Sequence, residues 1–385
     1  MSGMTSWIGS GIGSSIGSRI GSSLLSVGLV ATMLTWLVAG PVSAQAPVDE
    51  PPAAPKPAGL DALAKAVDAL PKPGEAYGRE VSSMVEAFPT FLGSGAQHED
   101  DIVIEGSDSL AVMLVRAAKA WSTLQPQCEV IVHQASTDRG LQSLLAGRSA
   151  LAAMARPLGP AEIERLESGG GTVHQVQVAR DGVAIFVHCD NPIAGLSRRQ
   201  CNGIFSATHS MSPELVLRWN DLDPASPLGE DFFPLYMRDI RTGTMQRLME
   251  WCMPGEPITT IGIFIEPSPS SVVNACCAYR NAMGVSSTGA ARVRARMLPL
   301  AEADGGPYIP PTVTTIADGS YPLARSLNLV VVSDKDGVVP PHILAFLRYL
   351  WSQDGQDVVG LCNLVPADPT SIPAVLGKPV DGSWR

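Results

Sequence analysis

One plan recurs along this sequence and restricts the folds open to it: a β-branched or apolar run, a short polar turn, then apolar residues at helical spacing. It is clearest where Ile102-Val103-Ile104-Glu105-Gly106 is followed by Ser107-Asp108-Ser109 and then by Leu110, Leu114, Ala117, Ala118 and Trp121. It returns at Glu129 to Gln134 with the turn Ala135 to Gly140, and at Ala150 to Ala155 with Arg156-Pro157-Leu158 before a helix that starts at Pro160. The fourth copy runs from Phe233 to Met237, through Arg238 to Thr244, into the amphipathic stretch Met245 to Trp251. Strands alternating with helices predict an α/β protein with a mostly parallel sheet, whose ligands gather at the carboxyl ends of the strands. The polar turns are therefore expected on one edge. Ser107, Asp108 and Ser109 suit an N-cap, which leaves amides such as that of Leu110 at the positive end of a helix dipole, where an anion is favoured.

The totals set limits on function. A chain of 385 residues exceeds one ordinary core, and its balance of 17% charged and 45% apolar residues is that of a packed globular protein. A formal charge of −10 argues against nucleic acid as a partner, since no basic excess exists to displace counterions. A small anion is still admissible, because a local site of hydroxyls, amides and arginines acts by its own field. The seven cysteines form no CxxC pattern and no histidine pair has ligand spacing, so neither a metal nor a cofactor is expected. Cys252 with Cys276 or Cys277 is a candidate disulfide, and buried free thiols are the alternative.

An enzyme reading fails on its base. Gly106 to Leu110 has a superficial likeness to a Gly-Asp-Ser-Leu esterase signature with Ser109 as nucleophile, but Ser107 interrupts it. The late histidine, His342, has Val339 where an orienting Asp would stand.

The amino-terminal part differs in composition. Ile-Gly-Ser units with Arg19 precede an apolar run from Leu24 to Ala39 and the small residues Val42-Ser43-Ala44, which predicts an export signal over 1–44 with cleavage after Ala44. Residues 45–100 are expected to be a Pro/Ala-rich linker with a short helix spanning Leu60 to Leu70. Further on, Val173 to Val178 and Val183 to Val187 look like two strands, with Ala179-Arg180-Asp181-Gly182 as the turn between them.

Taken in order, Gly106-Ser107-Asp108-Ser109-Leu110, the turn Ser136 to Gly140, Met154-Ala155-Arg156-Pro157-Leu158 and Arg180-Asp181-Gly182 with Asn191-Pro192 resemble the phosphate-binding proteins of ABC importers. Ile204-Phe205, Trp219-Asn220-Asp221-Leu222, Arg238 to Thr244, Ala282 to Val285, Gly319 to Arg325 and Gly355-Gln356 continue the resemblance, which spans about Asp101 to Pro366. It implies a two-lobed type II solute-binding fold, each lobe a mostly parallel sheet flanked by helices, with the ligand in the cleft between lobes. Residues 101–182 plus 321–385 would form the first lobe and 183–320 the second. Carried over, Ser109 and the Leu110 amide would cap the anion, while Thr137 and Asp138 would face it. Arg238 would grip it with two prongs and Thr242, Gly243 and Thr244 would wrap it.

The second turn departs from the pattern with Asp138 and Arg139 where small residues are usual, and two further positions depart as well. Ala155 removes a hydroxyl, and Arg156 stands where the best-studied phosphate binders place a carboxylate that accepts the ligand's proton; Asp108, Asp138 or Asp239 are candidates to supply that acceptor. Arg156 is open to two roles, ligand contact or structural ion pair. Tyr321, Pro322 and Arg325 are assigned to hinge and packing. The resemblance implies a monomeric, periplasmic or otherwise extracytoplasmic binding protein for inorganic phosphate or a similar oxyanion, working with an ABC permease. The alternative is the same fold with a degenerate site, acting as a sensor or envelope interaction protein.

Overall fold

The computed structural model describes residues 75–384, apart from 94 and 213–214. The export signal over 1–44, the Pro/Ala-rich stretch and the helix expected at Leu60 to Leu70 lie outside the described residues. Within them the packed body starts at helix α1 (Glu75–Val85), whose Val81 and Val85 are buried. Phe88 follows, edge-on to Trp351 at 5.2 Å between ring centroids. Thr90–Phe91 then pairs in parallel with Ser383–Trp384, fastening both ends of the body together.

The four repeats form as expected. They give β1 (Ile102–Ser107) with α2 (Asp108–Leu124), β2 (Val130–Ala135) with α3 (Thr137–Leu145), and β3 (Leu151–Met154) with α4 (Pro160–Glu167). After the long strand β4 (Val173–His188) and helix α5 (Arg198–Phe205), the fourth repeat supplies β5 (Leu235–Met237) and α6 (Gly243–Cys252). Strand β6 (Ile263–Ile265), helix α7 (Pro269–Ala278), strands β7 (Met283–Ser287) and β8 (Ala324–Val332), and helices α8 (Pro341–Leu350) and α9 (Gln353–Leu361) complete the frame.

Eight strands of a ten-stranded mixed sheet run in the order β2-β1-β3-β8-β4-β7-β5-β6, and Ala295–Met297 and Val365–Pro366 pair with β4 off this path. Each end is a parallel triplet: β1 pairs with β2 and β3, and β5 pairs with β6 and β7. Between them β8 runs antiparallel to β3 and β4, and β4 runs antiparallel to β7, so these two long strands join the halves. Ile102, Ile104, Leu114 and Trp121 lie in the core of one half, and Leu235, Met237, Leu248 and Val285 in the core of the other. Fully burying one such aliphatic side chain is worth about 1.5–3 kcal/mol, which holds the α2 stripe on its sheet.

The expected turn at Ala179 to Gly182 does not exist. Residues 173–188 form one 16-residue strand, and Arg325 of β8 lies directly across from Asp181. Arg-Asp-Gly carries a surface signal when seen locally, but here its charges are paired inside the sheet, so the strand runs on.

The proposed cysteine pairing is also corrected. All seven cysteines are free thiols, because Cys252 packs in the core with Leu248 and Ile204 while Cys276 belongs to a separate cluster with Ala184 and Phe186. Burial pushes the Cys252 and Cys276 thiols up to about 12.

Candidate functional site

Two glycines bring the first two polar turns close together, the first against β3 and the second against β1. Gly106 has φ +147°, and a Cβ there would stand 2.2 Å from the Ala153 carbonyl oxygen. A Cβ on Gly140 would meet the Glu105 carbonyl oxygen at 2.5 Å, so α3 can press onto β1 only because this position is bare. The helix starts are then capped from within: Ser107 Oγ accepts from the Ser109 amide at 3.3 Å, and Ser136 Oγ accepts from the Arg139 amide at 3.2 Å.

The first turn of α6 arrives from the other half of the sheet. A Cβ on Gly243 would lie 3.0 Å from Ala155 Cβ, 3.6 Å from Thr137 Oγ1 and 3.6 Å from Arg325 Nη1. The starts of α2, α3 and α6 thus converge around one guanidinium, that of Arg325. Its Nη2 donates to Asp181 Oδ2 at 2.6 Å, to Ser109 Oγ at 2.9 Å and to Thr244 Oγ1 at 3.3 Å, while Nε donates to Asp181 Oδ2 at 3.1 Å. Asp181 is wholly buried, and its Oδ1 accepts from Ser287 Oγ at 2.9 Å and Thr288 Oγ1 at 2.8 Å. Four hydrogen bonds saturate that carboxylate and fix the guanidinium plane.

One nitrogen is left over. Arg325 is 8% exposed, and its Nη1 is buried with no hydrogen-bond partner among the described residues. Leaving a charged donor unmet in the interior is costly, so this atom marks a place built for an acceptor. The adjoining cavity, about 290 Å³, is lined by Ala155, Arg156, Gly243, Arg247, Arg325 and Ser326.

The remaining sequence-predicted residues take other positions. Arg238 turns its Nε and Nη2 to Asp108 Oδ2, at 3.2 and 2.6 Å, and its Nη1 to the Glu266 carbonyl, so the two expected prongs hold a carboxylate of the protein. Arg156 forks onto Glu162 at 2.8 and 2.7 Å and reaches Asp138 at 2.9 Å, an ion pair that borders the same cavity as Arg325. These carboxylates hold the Arg156 guanidinium charged well above its ordinary range. Asp239 pairs with Arg241, which is 80% exposed, and the hydrogen bonds from that arginine hold its carboxyl down to about 2. Thr242 donates its hydroxyl to the Asp239 carbonyl at 2.8 Å. Thr137 Oγ1 accepts from the Ala155 amide at 3.3 Å, Thr244 Oγ1 sits on Arg325, and Leu110 contributes a fully buried side chain beside the α2 cap. Ser109 has no link to His342, which instead faces Asp100 at 3.8 Å.

Arg325 and Asp181 are the residues that sequence reasoning assigned elsewhere, to hinge packing and to a turn. A recoverable signal existed: two opposite charges at the mouths of apolar runs, Asp181 before Val183 to Val187 and Arg325 before Leu329 to Val332.

A second cavity, about 390 Å³, is lined by Asp108, Ser109, Met113, Ser270, Arg292 and Leu364. The Nη1 and Nη2 groups of Arg292 are spent on the Ala290 and Ala291 carbonyls and on Ser270 Oγ, so this larger space offers no unmet charge.

A family model for the PBP superfamily domain matches residues 93–354. The chain belongs to the PBP superfamily. It is 28% identical over 263 residues to the phosphate-binding protein PstS of Pseudomonas aeruginosa, covering 68% of this chain and 81% of that protein. It is 24% identical over 271 residues to PstS of Staphylococcus epidermidis, covering 69% and 78%. Among solved structures, an ABC-type phosphate transport receptor from Vibrio cholerae aligns with TM-score 0.55 and 21% identity, covering 69% of this chain and all of that one. A proposed phosphate ABC transporter substrate-binding protein from Clostridium perfringens, solved with bound phosphate, aligns with TM-score 0.57 and 20% identity over 70% of this chain and all of that one. At these identities the likeness establishes the two-lobed solute-binding fold.

Proposed function

We propose that this chain is an extracytoplasmic solute-binding protein that captures inorganic phosphate for an ABC importer, without catalysing a reaction. The observation that carries the reading is Arg325 Nη1, a buried and unpartnered cationic donor beside Thr137 and Gly243, with Ser109 and Thr244 on the same guanidinium. A tetrahedral oxyanion there would meet this nitrogen, three hydroxyls and the amides opening α2, α3 and α6. The relatives named PstS support phosphate as that anion. Residues 101–182 with 321–385 would form one lobe and 183–320 the other, closing on the ligand as a monomer that then docks on the permease. Export through the segment over 1–44 fits this role, and among the described residues no helix is long and apolar enough to cross a membrane.

Calorimetric titration of the anion-free protein with phosphate tests the proposal. Saturable binding that Thr137→Val and Thr244→Val each weaken is the expected result, accompanied by a rise in melting temperature through mass action. Binding that both changes leave intact would sink the site assignment. The degenerate-site reading draws on Ala155, which offers no hydroxyl and lies close under Gly243; an absence of any oxyanion binding would favour it.

A further inference from the structure

Resting on the anion-binding reading above, we infer that Glu250 decides which oxyanion the seat accepts. Its carboxylate takes the hydrogen bond of a protonated ligand oxygen and repels an unprotonated one, so phosphate is held and sulfate is turned away. Inorganic phosphate near neutral pH keeps at least one proton, and sulfate keeps none.

The wall of the Arg325 cavity brings this residue to the seat. Gly243, Gln246, Arg247 and Glu250 all line it, and their spacing makes them one face of α6. Glu250 stands two turns beyond Gly243, about 10 Å along the axis, and side chains on a helix lean toward its start. The lean shows in the contact of Glu250 Oε2 with Nη1 of Arg247, one turn earlier, at 3.9 Å. That distance is beyond hydrogen-bond reach, and Arg247 Nη2 donates instead to the Pro322 carbonyl at 2.7 Å. Among the described residues Glu250 receives no hydrogen bond, so both its oxygens are open to a ligand proton.

The other acceptors cannot tell the two anions apart. The hydroxyls of Thr137 and Ser326 and the amide of Gln246 are neutral, and each can turn a hydrogen as readily as a lone pair to the ligand, so they serve sulfate as well as phosphate. A full negative charge is what penalises an unprotonated oxygen. Among the residues lining the Arg325 cavity, Glu250 is the one carboxylate. Asp108 lines the second cavity, and Asp138 and Glu162 hold Arg156 without lining the first. Asp181 has four donors on its two oxygens, and Asp239 is taken by Arg241.

The test is calorimetric titration of the anion-free full chain at neutral pH with phosphate and, separately, with sulfate. The wild-type protein is expected to bind phosphate more tightly than sulfate by about tenfold or more. Glu250→Gln keeps the shape and removes the charge; it is expected to weaken phosphate and strengthen sulfate until the two lie within about threefold, with thermal melting to check that the variant is folded. Asp108→Asn should leave the phosphate-to-sulfate ratio at its wild-type value. A ratio that Glu250→Gln does not move, or that Asp108→Asn closes instead, would overturn the inference while leaving the anion site standing. So would a wild-type protein that takes both anions equally. If neither anion binds, the anion reading and this inference fall together.

Discussion

Arg325 and Asp181 stand directly opposite each other on adjacent antiparallel strands, and their ion pair is shut off from water, with side-chain exposures of 3% and 0%. The pair fixes the guanidinium whose third nitrogen faces the seat, so the strand register itself aims the cation. Removing one partner strands a buried charge: Arg325→Ala and Asp181→Ala are each expected to cost about 3–5 kcal/mol of unfolding free energy. The double change should cost clearly less than the sum, because the second deletion removes the charge that the first left unpaired. Urea unfolding of the four proteins in a double-mutant cycle measures this, and additive losses would show that the two do not act as a unit.

Arg238 and Asp108 form a half-buried pair, at 2.6 Å, between a helix start in one half of the sheet and a strand exit in the other. Arg238 is expected to act on binding through this contact, by favouring the closed state. Asp108→Asn is expected to lower stability by about 1–3 kcal/mol, the worth of a charged hydrogen-bond pair, and to weaken anion binding. Small-angle scattering of this variant without ligand should give a larger radius of gyration than wild type. An unchanged radius together with unchanged affinity would remove that role.

The legible parts of the sequence were those whose cause is local. Ile102 and Ile104 alternate into the core, Ser107 and Ser136 cap the helices that follow them, and the apolar stripe ending in Trp121 is set by helical spacing. Asp181 was misread because its partner is remote in the chain. It meets Arg325 144 positions away, just as Arg238 meets Asp108 130 positions away. Seen alone, Ala179-Arg180-Asp181-Gly182 has the polarity and the glycine of a turn. Only the register between β4 and β8, which no local pattern encodes, turns it into the anchor of the site.

A separate group governs the response to acid. Glu256 accepts hydroxyl hydrogen bonds from Ser206, Thr208 and Ser210, which hold its carboxyl down to about 2. A carboxyl depressed in the folded state contributes stability that is fully present above its unfolded pKa and is lost as pH falls through the folded one. The loss should therefore span the range from about 4.5 to about 2. Glu256→Gln is expected to be less stable than wild type at neutral pH and to lose less over that acid range. Urea midpoints measured against pH decide the matter: parallel curves for the two proteins would show that the three hydroxyls do not depress this carboxyl.

The narrowest point of the seat is the approach of Gly243 to Ala155, and it can be probed by adding and removing one methyl group. A Cβ on Gly243 would come within 3.0 Å of Ala155 Cβ and stand 3.6 Å from both Thr137 Oγ1 and Arg325 Nη1. It would occupy the space next to the unpartnered nitrogen, and the neighbours must yield by a few tenths of an ångström to admit it. Gly243→Ala is expected to abolish or strongly weaken anion binding, while helix propensity at the start of α6 offsets part of the steric cost to stability. Ala155→Gly in the same chain removes the facing methyl and should return part of the affinity. Calorimetric titration of the single and double variants, each checked by thermal melting, reads both effects. Gly243→Ala binding as tightly as wild type would place the anion away from the first turn of α6, and the site would have to be sought elsewhere in the cleft.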